Sequence, residues 1–152
     1  MLDYHIYWYD DEQTILIMDV RNDDWEWKYT LQALREFFAE AETVTHPIYT
    51  VTIFRYTPPN SPPDGGLFEQ VRDVMRQRPD HEVLTIFVGA NSFYAAVLNV
   101  VRRMFGFRRL LGQFRFEATL EAALAEIDAE KARRSATVSE SSPANPQSVD
   151  SD

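Results

Sequence analysis

The chain has 152 residues, 45% of them hydrophobic and 13% aromatic, enough to bury the core of one domain. Its 15 Lys and Arg stand against 24 Asp and Glu, a formal charge of −9, so binding to the phosphate backbone of nucleic acid is not expected. With no cysteine, disulfides, thiolate nucleophiles and thiolate zinc sites are excluded. No apolar run approaches the ~20 residues of a membrane span. No basic region followed by an apolar stretch opens the chain, so a cytoplasmic protein without membrane insertion is expected.

Composition changes near residue 135. Residues 1–135 carry apolar periodicity, and 136–152 (ATVSESSPANPQSVDSD) carry none. The first part reads as one α/β domain and the second as a disordered, acidic, Ser- and Pro-rich tail.

Tyr4 to Tyr9 is aromatic and β-branched, a strand. Asp10–Gln13 breaks it, and Thr14–Val20 returns as a second strand, an antiparallel hairpin by its short connection. That strand is apolar on both faces, so it belongs inside the sheet. Asn22, Asp23 and Asp24 offer N-caps to a helix from about Trp25 to Thr43. Trp27, Leu31, Leu34, Phe38 and Ala41 share its core face, and Glu36 lies off it. Ile48–Tyr56 is a third strand, followed by a proline-dense loop, Thr57–Gly66. A second helix carries Leu67, Val71 and Val74 inward and ends at Pro79-Asp80-His81. Val83–Val88 is a buried fourth strand, and Gly89-Ala90-Asn91-Ser92 turns it into a helix bearing Phe93, Val97, Val100 and Met104. Gln113–Glu117 alternates as a short edge strand, and Thr119 caps a last helix to about Arg134. Strand–helix–strand units require parallel strands joined by right-handed crossovers. The sum is a five-stranded mixed α/β sheet with an N-terminal antiparallel hairpin and four helices.

This order resembles that of the STAS domain, found in bacterial anti-sigma-factor antagonists and in the cytoplasmic tails of sulfate transporters. Pro63-Asp64-Gly65-Gly66-Leu67 stands where that family has a loop, an Asp, two small residues, Gly and Leu before a helix. Met104-Phe105-Gly106-Phe107, Phe114–Glu117 and Thr119–Leu124 are similar to its C-terminal part, so the likeness covers about residues 4–130. The family's phosphorylated Ser or Thr has its counterpart at Gly65, which has no hydroxyl, and Ser61 stands four residues earlier. The resemblance thus implies a STAS-like interaction module without the usual phosphate switch.

The chemistry-bearing residues give no catalytic set. His46 and His81 precede strands, the wrong end for an α/β active site, and His5 lies on the first strand. Asp19, Asp23, Asp24 and Glu26 are acidic but lack calcium-loop spacing, and helix capping accounts for Asp23 and Asp24. Gly89–Ser92 lacks the pattern of a nucleotide-binding loop. Trp25 and Tyr29 form a second aromatic stripe on the first helix, as suited to an interface as to packing on the hairpin. No cofactor, metal or enzymatic activity is expected. The expected function is regulation or scaffolding by contact with a protein partner, and a homodimer is compatible with it. The alternative is binding of a small ligand or anion by the same loops. The expected site joins Asn60, Ser61, Asp64, Gly65 and Gly66 with Asn91, Ser92 and Phe93, since both segments follow parallel strands at the carboxyl end of the sheet. The rival is a basic patch of Arg102, Arg103, Arg108, Arg109 and Arg115.

Overall fold

The structure, a computed structural model, describes residues 1–22, 26–55, 65–89 and 114–141. Five strands and three helices fall within them: β1 (Tyr4–Trp8), β2 (Ile15–Val20), α1 (Trp27–Ala41), β3 (Ile48–Phe54), α2 (Gly65–Arg76), β4 (Glu82–Val88), β5 (Phe114–Glu117) and α3 (Leu120–Ser141). The strands lie in the order β1-β2-β3-β4-β5 in one sheet. β1 and β2 are antiparallel, and the other neighbours are parallel. The mixed α/β sheet is therefore the one expected. The helix expected from Phe93 lies outside the described residues.

The hairpin turn is built by Asp10. Its carboxylate accepts the amides of Thr14 (2.9 Å) and Ile15 (3.0 Å) and the Thr14 hydroxyl. Burial pushes the Asp10 carboxyl up, but these bonds outweigh it and hold it below its ordinary value. Gln13 takes the left-handed backbone of the turn, at φ 56°.

Two cores flank the sheet. Leu16, Met18, Val20, Phe54 and Phe87 meet Leu31, Phe37 and Phe38 of α1 and Val74 of α2. Ile15, Ile17, Val51, Ile53, Leu84 and Ile86 meet Ala123 and Ile127 of α3 on the other side. This explains why β2 is buried along its whole length. On the first side Phe87 stacks with Phe54, Phe114 and Phe116 at centroid distances of 6.3, 5.9 and 5.6 Å.

Three local expectations change. Asn22 does not cap α1. Its side chain accepts the Asp3 amide and donates to the Met1 carbonyl, both at 2.9 Å, tying down the strand leading into β1. Glu26 holds the N-cap position without a side-chain cap bond. The inner face of α1 is also wider than its Leu31–Leu34–Phe38 stripe. Thr30, Ala33 and Phe37 are buried with it, because a helix lying on a sheet is covered over more than one row. Lastly, α3 does not stop near Arg134 but continues to Ser141. Residues 132–137 are exposed, so local helix propensity rather than packing carries this stretch. At the start of α3 the Thr119 hydroxyl accepts the Ala122 amide at 3.1 Å, the expected cap.

A bulge in β4 shifts its register on β3 between Ile48 and Tyr49. Glu82 and Thr85 then meet on one side of the strand. Thr50 donates to Glu82 Oε1 at 2.5 Å, and Thr85 donates to the same carboxylate. Arg78 Nε completes it at 3.0 Å from Glu82 Oε2. With side-chain exposures of 7% and 2%, Arg78 and Glu82 form a buried ion pair, and the Arg78 guanidinium lies over the Phe114 ring at 5.1 Å. The network locks the α2–β4 connection to β3 and β5.

Candidate functional site

The parallel strands end together. Arg55 N donates to Val20 O (3.3 Å) and Gly89 N donates to Glu117 O (3.1 Å), so the carboxyl ends of β2, β3, β4 and β5 are knitted into one rim. Gly89 is required there. Its φ is +75°, and a Cβ would lie 2.5 Å from Phe54 O. The chain thus leaves the described fold after Arg55 and after Gly89 from adjoining strand ends.

Beside them lies a charged array. Asp19 is the one acid within β2, and its side chain is 3% exposed. Arg55 grips it with two bonds of 2.8 Å, Nε to Oδ1 and Nη2 to Oδ2, a bidentate geometry. Arg21 Nε adds a longer contact of 3.5 Å to Oδ2. The two arginine side chains are 55% and 46% exposed, so each presents a guanidinium anchored from below. Burial pushes the Asp19 carboxyl up, but Arg55 and then Arg21 outweigh it and hold it below its ordinary range. Tyr7, across β2 from this array, has its hydroxyl pushed up first by burial and then by Asp19.

Of the sequence-nominated residues, Asn60, Ser61, Asp64, Asn91, Ser92 and Phe93 lie outside the described residues. Gly65 and Gly66 belong to the first turn of α2 rather than to the loop before it. That correction has a simple cause: the first amides of a helix have no intrahelical partner, so its first turn tolerates glycine better than its interior does. Arg102, Arg103, Arg108 and Arg109 also lie outside. Arg115 lies on β5, where its Nε pairs with Glu126 Oε1 at 3.4 Å and its Nη1 donates to the Phe114 carbonyl at 3.1 Å.

The acidic group after β2 does not converge. Asp19 faces Arg55, Glu26 pairs with Lys28 at 3.0 Å, and Asp23 and Asp24 lie outside the described residues. Among the described residues no three His, Asp or Glu side chains are arranged to hold a metal ion. His46 contacts the Gln13 carbonyl (2.7 Å) and His81 the Ala41 carbonyl at the end of α1 (2.8 Å), so both fasten chain ends at the amino end of the sheet. Tyr29 is partly buried against the α1 side of the core, with Lys28 over its ring at 4.9 Å. Trp25 lies outside the described residues.

Two clefts lie away from the carboxyl end. One, of about 510 Å³, lies where β4 begins, between His81, Arg115 and Arg134. The other, of about 520 Å³, separates the last turns of α1 and α2, between Arg35 and Arg76.

Sequence reasoning singled out Asp19 but missed Arg55. The signal was present, since a lone acid in an apolar strand must find a cation, but nothing local says which one. No protein-family model matches the chain, and no curated protein matches it. Among the described residues no helix is long and apolar enough to cross a membrane.

Proposed function

We propose that the chain is a non-enzymatic, STAS-like regulatory or scaffolding module that binds a protein partner at the carboxyl end of its sheet. One observation carries this. Buried Asp19 holds the half-exposed guanidiniums of Arg55 and Arg21 beside Tyr7, at the rim where the segments containing Asp64 and Asn91 depart. Arg and Tyr are the side chains on which protein interfaces most depend. Guanidiniums already fixed by a buried carboxylate lose less freedom on binding. The strand order, an antiparallel hairpin followed by parallel crossovers, supports the STAS-like part of the proposal.

The same two guanidiniums also favour a second function, capture of a small anion. Affinity capture with mass spectrometry, beside a thermal-shift screen of nucleotides, phosphates and lipids, separates the two. A protein partner retained by the parent chain and lost on Arg55→Gln, with no small molecule raising Tm, supports the contact module. A ligand that binds only the folded state must raise Tm. A rise with phosphate or a nucleotide, abolished by Arg55→Gln, replaces the first function with the second.

A further inference from the structure

β1 is an edge strand, and its hydrogen-bond phase is known. Arg21 N donates to Asp3 O (2.8 Å) and Tyr9 N to Ile15 O (2.9 Å). With His5 opposite Asp19 and Tyr7 opposite Ile17, the odd-numbered residues turn their backbone groups toward β2. The N–H and C=O groups of Tyr4, Ile6 and Trp8 therefore point outward, where no described strand pairs with them.

Natural edge strands are usually guarded by lysine, proline, bulges or inward charges. Tyr-His-Ile-Tyr-Trp contains no Lys, Pro or acid, and its pairing with β2 is unbroken. The opposite edge strand, β5, does carry charge, at Arg115 and Glu117.

We propose that the outer edge of β1 is a homodimer interface, in which two copies pair antiparallel about Ile6 into one continuous sheet. The register follows from the phase. With Ile6 opposite Ile6 of the second copy, Tyr4 falls opposite Trp8 and Trp8 opposite Tyr4, so every outward N–H meets an outward C=O. The strand is complementary to itself, as a closed two-fold contact requires. Its anchors are already ordered by α1: Tyr4 donates its hydroxyl to Glu36, and Trp8 Nε1 donates to Glu40 Oε1 at 2.9 Å. On the other face exposed His5 meets exposed Tyr7 of the second copy in the close, non-hydrogen-bonded geometry. With −9 on each chain, long-range repulsion opposes the dimer, so added salt strengthens it. Tyr7 borders the partner site, but the backbone pairing of the dimer does not depend on the guanidiniums of Arg55 and Arg21.

Sedimentation equilibrium of the full chain over a concentration series, with and without added salt, is the test. The mass is expected to rise from 17.7 kDa toward twice that value. Ile6→Pro removes an amide that faces outward and takes no part in the pairing with β2, so the edge tolerates it. This variant should keep the parent circular dichroism and weaken dimerisation about tenfold or more. Should it not fold, the exposed face decides. His5→Glu with Tyr7→Glu sets like charges opposite each other and should give monomer, whereas His5→Glu with Tyr7→Lys sets opposite charges and should retain dimer. A mass of 17.7 kDa at every concentration into the millimolar range, or a dimer indifferent to folded Ile6→Pro or to both charge pairs, overturns the proposal.

Discussion

Asp19 sits ionised in an apolar strand because Arg55 meets both its oxygens, and removing that partner leaves the carboxylate stranded. A buried pair broken on one side costs about 3–5 kcal/mol. Arg55 is half exposed and Arg21 stays nearby, so Arg55→Ala should cost less, about 2 kcal/mol by urea unfolding. Glu82→Ala takes the carboxylate away from a buried Arg78, and here the full ~3–5 kcal/mol is expected. The acids also set the pH response. The Asp19 carboxyl is held below its ordinary value, so its contribution is full above about pH 5 and is lost as acid takes the solution below about pH 4 and through the folded value. Glu126 behaves oppositely. Burial, then the Glu117 carboxylate, pushes it up against the pull of Arg115 and Arg133, and its Oε2 is buried without a hydrogen-bond partner. The folded state therefore holds this proton more tightly than the unfolded chain, and Glu126 loses stability as pH rises through its raised value. Glu126→Gln should raise Tm at pH 7 and leave it unchanged at pH 4, checked by calorimetry at both. At this scale the sequence was only half legible. Asp19 stands out in its strand, but Arg55 is 36 positions away, and only the parallel pairing of β2 with β3 brings the two together.

On α1, three consecutive residues test how helical phase becomes packing. Phe38 was legible from its spacing with Leu31 and Leu34. Phe37 was not, because a single stripe ignores the breadth of the sheet beneath it. Both are buried, so Phe37→Ala and Phe38→Ala should each cost about 3–5 kcal/mol. Glu36 lies off that stripe, yet it accepts the Tyr4 hydroxyl, whose pKa burial and this bond push up to about 12. Glu36→Ala should thus cost about 1 kcal/mol rather than the few tenths of an idle surface residue, a difference chemical denaturation resolves. On α3, Lys131 donates to the Thr14 hydroxyl at 2.8 Å, whereas residues 132–137 are exposed. Removing residues 136–152 should therefore shift Tm by no more than about 1–2 °C, and a fall of roughly 5 °C would show that the end of the chain docks on the fold. The helix end itself was illegible, since residues 132–137 are exposed and no buried face marks where the period stops.

Across the whole molecule, the order of elements and the mixed sheet were legible because short apolar or alternating runs bounded by turns alternate with period-three-to-four runs, and chain chirality leaves few ways to connect them. One consequence is functional: the carboxyl ends of the parallel strands share one edge, and the ties from Arg55 to Val20 and from Gly89 to Glu117 hold them there. The two clefts described above lie at the amino end of the sheet and between the last turns of α1 and α2 rather than at that rim, and a small molecule usually takes an enclosed volume. A macromolecular partner needs none, because flat interfaces work through anchored side chains. If the partner binds at this rim, Asp64→Lys and Asn91→Trp, placed in the two departing segments, should each weaken its capture without altering circular dichroism or Tm. Arg108→Glu with Arg109→Glu, in the basic run before β5, should leave capture unchanged. The comparison requires equal amounts of folded protein and the partner identified by mass spectrometry, with Kd measured by titration. A loss of about tenfold or more in affinity at the two segments, against none at the arginine pair, places the contact at the rim. The reverse pattern moves the interface to the basic run, where negative charge on the partner rather than the anchored Arg55 and Arg21 would then govern binding.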